Sequence, residues 1–188
     1  MTDKLLQNYP KQVTLGLAGA HVILRPLEPT DEYQLLQFFN RIPAEDRYYL
    51  KEDVSSSSVI AKWARNIDYD QVLPLIALVD SEIVADATLH RNQAGAHRHM
   101  GEIRIVVEPS HRNQGLGTIM LEELIYIAYD RGQDRIFMQL VEEREDNAIR
   151  VAEKMGFQRV ATLPGFAKEI TGEDRNLVIL ELTQESRG

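Results

Sequence analysis

The chain has no cysteine among its 188 residues. That absence excludes a disulfide framework, a thiolate metal centre and a cysteine nucleophile, so any acyl transfer it performs cannot pass through an acyl-cysteine. Long apolar runs are missing as well: none approaches the roughly 18 residues that a membrane span takes. The opening stretch MTDKLLQNYPKQ has no apolar signal region, so the expected location is the cytoplasm, with no membrane partner. Basic residues are the minority, 21 Lys and Arg against 29 Asp and Glu, for a formal net charge of −8. This argues against nucleic acid as a partner. A cationic substrate is tolerated, and the same charge serves solubility.

No repeat or low-complexity tract is present, and Ser55 to Ser58 is too short for a linker. With 44% apolar residues the chain can bury one sizeable core. We read residues 21–188 as one domain and residues 1–20 as an N-terminal extension packed on it. Val13 to Leu17 and Val22 to Leu27 read as strands around a turn at Ala18-Gly19-Ala20. Asp31 opens a helix to Arg41 with Leu35, Leu36, Phe38 and Phe39 inside; Pro43 starts a short helix and Val59 to Asn66 a third. Leu75 to Val79 and Ile83 to His90 form a hairpin across Asp80-Ser81. Later come a strand over Ile136 to Val141, a helix over Asn147 to Met155 and strands over Val160 to Leu163 and Leu177 to Leu182. The pattern is α+β with a mixed sheet.

The most informative stretch is Gly101 to Gly132. Ile103, Ile105 and Val107 alternate as in a strand, Pro109 stops it, and Leu116, Ile119, Met120, Leu124, Ile127 and Ala128 fall at helical spacing. Between them, Arg112-Asn113-Gln114-Gly115-Leu116-Gly117 places two glycines where the helix must begin. A helix start leaves about four N–H groups without internal partners and carries partial positive charge, which suits phosphate oxygens. No lysine follows the glycines as a P-loop requires, and Met120 stands where a dinucleotide fingerprint needs its third glycine.

What remains, Val107-x-Pro109-x-x-Arg112-x-x-Gly115-x-Gly117, resembles the acetyl-CoA signature of the GNAT superfamily of N-acetyltransferases. A second segment, Asn147 to Phe157, resembles that family's Asn-x-x-Ala-x-x-Leu-Tyr-Glu-Lys-x-Gly-Phe, with two departures. Anchored on Gly156-Phe157, Glu145 stands where the family has a cofactor-contacting Asn, with Asn147 two residues on; Ala152 stands where many members carry a thiolate-protonating Tyr. Tyr9-Pro10-Lys11-x-Val13-Thr14-Leu15, Leu24-Arg25-Pro26-Leu27 with Asp31, and Phe38-Phe39 before Glu45-Asp46-Arg47-Tyr48 are similar to the Pat-like bacterial protein lysine acetyltransferases.

The resemblance implies a GNAT fold, a mixed and mostly antiparallel sheet of about seven strands with helices on both faces. It also implies acetyl-CoA as cofactor, held by Ile105, Val106, Val107, Arg112, Asn113, Gln114, Gly115, Leu116, Gly117, Thr118 and Asn147. Ile105 to Val107 serve through the backbone, along which the pantetheine arm lies like an added strand; N–H groups around Val106 and Val107 polarise the acetyl carbonyl. Glu102, at the point of this strand where the family carries a general base, is the candidate proton acceptor; the alternative is a solvated charge paired with Arg104 or with a neighbouring strand. The implied acceptor is a primary amine, on a protein lysine or a small molecule, and a homodimer is compatible. Asp46, Glu52 and Asp53 are either ammonium partners or ordinary surface charge.

His97 and His99 share one face only if that segment is extended, and without a third ligand no metal site is expected. His111 either lines the phosphate site or faces solvent. Trp63, Phe38 and Phe39 read as core, and Tyr126 and Tyr129 as surface or packing residues. Against the enzyme stands a non-catalytic acetyl-CoA-binding sensor, for which Ala152 and Glu145 speak.

Overall fold

A computed structural model describes residues 6–16 and 19–184. Leu17 and Ala18, within the expected first strand and turn, lie outside the described residues, as does the start of the opening stretch, Met1 to Leu5. Among the described residues eight strands follow the order β1-β2-β3-β4-β5-β6-β8-β7, in keeping with the mixed sheet of about seven expected. The chain divides into two compact units, Met1–Leu89 with Ile105–Leu124, and His90–Arg104 with Ile125–Gly188.

In the first unit, β1 (Lys11–Leu15) pairs antiparallel with β2 (Ala20–Pro26). β2 pairs in the same sense with β3 (Val72–Val79), setting Leu24 opposite Ala77 and Pro26 opposite Leu75. β3 turns into β4 (Glu82–Arg91) through Asp80 and Ser81, whose φ values of 49° and 68° suit a two-residue hairpin turn matched to strand twist.

One face of these strands is covered by α1 (Glu32–Arg41) and α3 (Ser57–Arg65). Leu35, Phe38 and Phe39 recur at helical spacing and pack with Ile60, Ile76 and Ile83 in one buried cluster. Trp63 lies half-buried against it, edge-on to Phe39 at 6.0 Å, so Phe38 and Phe39 are core as expected and Trp63 packs at its margin. The entry to α1 is fixed by Arg25, which grips Asp31 through two bonds of 2.6 and 2.7 Å. Burial pushes the Asp31 carboxyl up, but the Arg25 and Glu28 N–H bonds and the Arg25 charge outweigh it, and the group titrates below its usual range.

The opposite face belongs to the start of α4 (Leu116–Asp130). Lys11, opposite Leu24 and hence on the same face, reaches Glu123 of α4 at 2.7 Å, and the Tyr9 hydroxyl donates to the same carboxylate. The N-terminal motif Tyr9-Pro10-Lys11 thus fastens the edge strand to the helix.

In the second unit, the first part of β5 (Met100–Val107) forms a parallel ladder, Met100, Gly101 and Glu102 against Arg135, Ile136 and Phe137 of β6 (Arg135–Val141). β6 pairs antiparallel with β8 (Asp174–Thr183), and β8 with β7 (Gln158–Lys168). The strand expected over Val160 to Leu163 runs on through Pro164. A register shift between Leu163 and Ala167 accommodates the proline, and β7 lies at the end of the sheet order, where a missing N–H is tolerated. α5 (Asp146–Lys154) buries Ile149 and Ala152 and stops at Gly156, whose φ of 98° favours glycine and whose Cβ would meet Leu182 at 3.4 Å.

Candidate active site

The turn between β5 and α4 is built from short local bonds. Glu108 N–H donates to the Val84 carbonyl at 2.9 Å, and Pro109–His111 forms a 3-10 turn closed by Arg112 N–H. The chain then passes through the left-handed region twice, at Asn113 (φ 59°) and Gly115 (φ 88°). Ile119 N–H to Gly115 carbonyl is the first bond of the new helix, so the N–H groups of Leu116, Gly117 and Thr118 precede any helical acceptor. Residues Arg112 to Gly115 are exposed. The Gln114 side chain folds back onto the Ser110 carbonyl. A Cβ at Gly117 would meet only Val107 Cγ2, at 3.8 Å. N–H donors without a helical acceptor, a helix dipole and no side chain at Gly117 fit a phosphate-bearing ligand.

Arg112 is placed differently from a free cation beside that ligand. Its Nε donates to the Val107 carbonyl and its Nη2 to Asp46 of α2 (Ala44–Arg47), both at 2.8 Å. Of the acidic residues considered as ammonium partners, Asp46 therefore meets Arg112, Glu52 accepts from the Trp63 indole at 3.1 Å, and Asp53 accepts from Ser55. The Ser55 hydrogen bonds hold the Asp53 carboxyl below its usual range. His111 bonds Ser110 at 2.9 Å.

Glu102 closes the parallel ladder of β5 and is buried, 9% exposed. It accepts from Arg104 at 2.7 Å. The pair with Arg104 thus forms, but Glu102 is not a solvated charge. Ile105, Val106 and Val107 follow on the same strand, and Val106 packs partly into the α1–α3 cluster.

A family model described as the acetyltransferase (GNAT) family matches residues 32–157, from α1 to the end of the second motif. The chain belongs to the acetyltransferase (GNAT) family. Acetyl-CoA is the cofactor of this family, and acetyl transfer to amines its chemistry. An acetyltransferase of Pseudomonas aeruginosa is 28% identical over 118 residues, which are 61% of this chain and 63% of that protein. The GNAT domain of PAT from S. lividans superposes with a TM-score of 0.76 at 20% identity, covering 92% of this chain and 96% of that one. A putative acetyltransferase, yncA, from Salmonella typhimurium, solved with its cofactor acetyl-CoA, gives 0.73 at 17% identity over 86% and 93%. Both likenesses establish the GNAT fold of this chain.

Against the GNAT pattern, the two departures gain a physical reading. Glu145 receives the Val141 N–H on its carboxylate at 2.6 Å and returns its own N–H to the Val141 carbonyl at 2.8 Å, closing the turn from β6 into α5. Asn147 lies exposed in the first turn of α5. Ala152 is wholly buried, so the position of the family's acid is filled by packing. Tyr126 is 57% exposed on α4. His97 and His99 lie in a turned segment rather than a strand, because β5 starts only at Met100. Among the described residues no group of three or more His, Asp or Glu is arranged to hold a metal.

One notable residue escaped the sequence reading. Asp86, in the middle of β4, alternates away from Ile83 of the α1–α3 cluster and so faces the α4 side. It is 7% exposed, and its Oδ1 is buried with no hydrogen-bond partner among the described residues. Desolvation pushes its carboxyl up to about 7. Between the unfolded-state value near ~3.9 and that figure, the folded chain holds a proton the unfolded chain has lost, so stability falls as pH rises through this window. Asp86→Asn is expected to raise the melting temperature at pH 8 and flatten its decline between about pH 4 and about pH 7. Thermal scans across that range check it, and an unchanged pH slope would overturn it.

Proposed function

We propose that this chain transfers the acetyl group of acetyl-CoA to a primary amine, on a protein lysine or a small molecule, by direct attack in a ternary complex. The observation that carries the reading is the exposed turn, in which Asn113 and Gly115 pass through the left-handed region just before α4, whose N–H groups at Leu116, Gly117 and Thr118 precede its first helical bond. In this reading Gly115, Leu116, Gly117 and Thr118 hold the pyrophosphate through backbone N–H groups, assisted by the turn residues Arg112, Asn113 and Gln114. The backbone of Ile105, Val106 and Val107 receives the pantetheine arm, and Asn147 adds a contact from α5. Leu116 contributes only its backbone, since its side chain is 1% exposed core.

An alkyl ammonium has a pKa near ~10.4 and must lose a proton before it can attack. Glu102, directly or through a water, accepts that proton. The new N–C bond forms as the C–S bond breaks. With Ala152 at the position of the usual acid, the thiolate leaves unassisted; a thiol pKa near ~8.5 makes it a tolerable leaving group. Kinship with the Pat-like lysine acetyltransferases belongs to the same reading, supported by the Tyr9-Pro10-Lys11 and Arg25–Asp31 elements that the fold puts to structural use.

An acceptor screen with acetyl-CoA, peptides and small amines tests this. We expect a gain of about 42 Da on at least one amine, set by acetyl-for-hydrogen exchange at nitrogen. Binding of acetyl-CoA without turnover on any amine would favour the sensor instead.

A further inference from the structure

Two ion pairs of opposite polarity link the corner between α1 and α2 to the turn that follows β5. At one end Arg41, the last residue of α1, directs Nε to Glu108 at 3.3 Å and Nη2 to the Ile83 carbonyl at 2.6 Å. At the other, Asp46 of α2 receives Arg112, whose Nε is simultaneously bonded to the Val107 carbonyl. Glu108 and Arg112 bracket the 3-10 turn, and Glu108 is itself tied to β4 through its N–H on Val84. Downstream, Asn113 holds a positive φ that a residue other than glycine adopts at a cost. Such a conformation persists when its surroundings over-determine it.

We propose that Asp46 is a positioning residue for the cofactor turn: through Arg112 it holds the turn from Val107 to Gly115 in its anion-receiving form, and the α1–α2 corner thereby contributes to acetyl-CoA affinity. The inference rests on the reading of this turn as the pyrophosphate site. Asp46 does not touch the cofactor. It fixes the guanidinium, which fixes the Val107 carbonyl and the start of the turn, so the N–H groups at the head of α4 are preorganised before the ligand arrives. The Asp46 side chain is 22% exposed and that of Arg112 39%, so solvent screens the charge and the link acts through the fixed geometry of its hydrogen bonds. The polarity matters too: a carboxylate left unpaired beside an incoming pyrophosphate would repel it, whereas Asp46 has its charge matched by Arg112.

Calorimetric titration of the full chain with acetyl-CoA tests the proposal through a double-mutant cycle, on variants whose melting temperatures stay within a few degrees of the parent. Asp46→Asn is expected to raise the Kd about tenfold, as loss of one charge-assisted hydrogen bond would, and Asp46→Glu to recover most of the loss. Combining Asp46→Asn with Arg112→Gln should weaken binding no further than Arg112→Gln alone, because both remove the same link. An unchanged or tighter Kd for Asp46→Asn, failure of Asp46→Glu to recover, or additive losses would each overturn it. If the parent chain itself binds no acetyl-CoA, the reading of the turn fails, an outcome distinct from any of these. Should Asp46→Asn unfold, Asp46→Ser in the same cycle carries the test.

Discussion

Gly117→Glu is expected to lower acetyl-CoA affinity by about a hundredfold or more in calorimetry, with little change in melting temperature. The asymmetry follows from the surroundings of this glycine. Its φ lies outside the left-handed region and an added Cβ would find only Val107 Cγ2 at ordinary contact distance, 3.8 Å, so the fold itself has room for a side chain. A carboxylate in the first turn of a helix even interacts favourably with the dipole, by about 0.3–1 kcal/mol. The same carboxylate sits where a pyrophosphate would be received, filling the space and repelling the anion. Gly115 presents the opposite case. Nothing lies within 4 Å of its Cβ, but its φ of 88° strains any L-residue, so Gly115→Ala should cost stability by about 1 kcal/mol before any ligand is considered. Gly115→Glu should block binding as well, with a lower melting temperature that Gly117→Glu does not share. Unchanged affinity in both glutamate variants would remove the pyrophosphate from this turn.

What could be read along the chain was whatever is written in consecutive residues. The strand, turn and helix from Gly101 to Gly132 declare themselves by a change of period from two to 3.6 and by glycines at the junction, and the elements came out within a few residues of their positions. The Asp80-Ser81 hairpin was legible for the same reason. Features that depend on partners distant in sequence were not. Arg112 looks like a free cation when read locally, yet its carboxylate partner is 66 residues away. Asp86 sits in a run of apolar residues, Ile83 to Leu89, where nothing in the letters distinguishes a partnered carboxylate from an orphaned one. The two strands around the turn near Gly19 were legible in the same way as that hairpin, and β1 does pair with β2, whereas the bonds that Tyr9 and Lys11 make to Glu123 span 114 and 112 residues and leave no local mark. Glu102 is an intermediate case: strand alternation identified it, while its burial and its bond to Arg104 are tertiary facts.

Glu102→Gln is expected to lower kcat by on the order of a hundredfold or more, the usual range for loss of a positioned general base, while acetyl-CoA still binds. The amide keeps the shape of the carboxylate and an oxygen that can still accept from Arg104, so the substitution deletes proton affinity rather than packing. Its dependence on pH separates a chemical role from a structural one. The base is needed because the acceptor arrives as an ammonium; each pH unit below the amine's pKa near ~10.4 lowers the neutral fraction about tenfold. As pH rises, solvent removes the proton unaided and the advantage of Glu102 shrinks. The ratio of parent to variant rate should therefore be largest near neutrality and fall toward pH 10, measured on a single amine acceptor with saturating acetyl-CoA. A ratio that stays constant across this range, together with a lowered melting temperature, would instead mark Glu102 as the partner that orders Arg104, and the proton acceptor would have to be sought elsewhere.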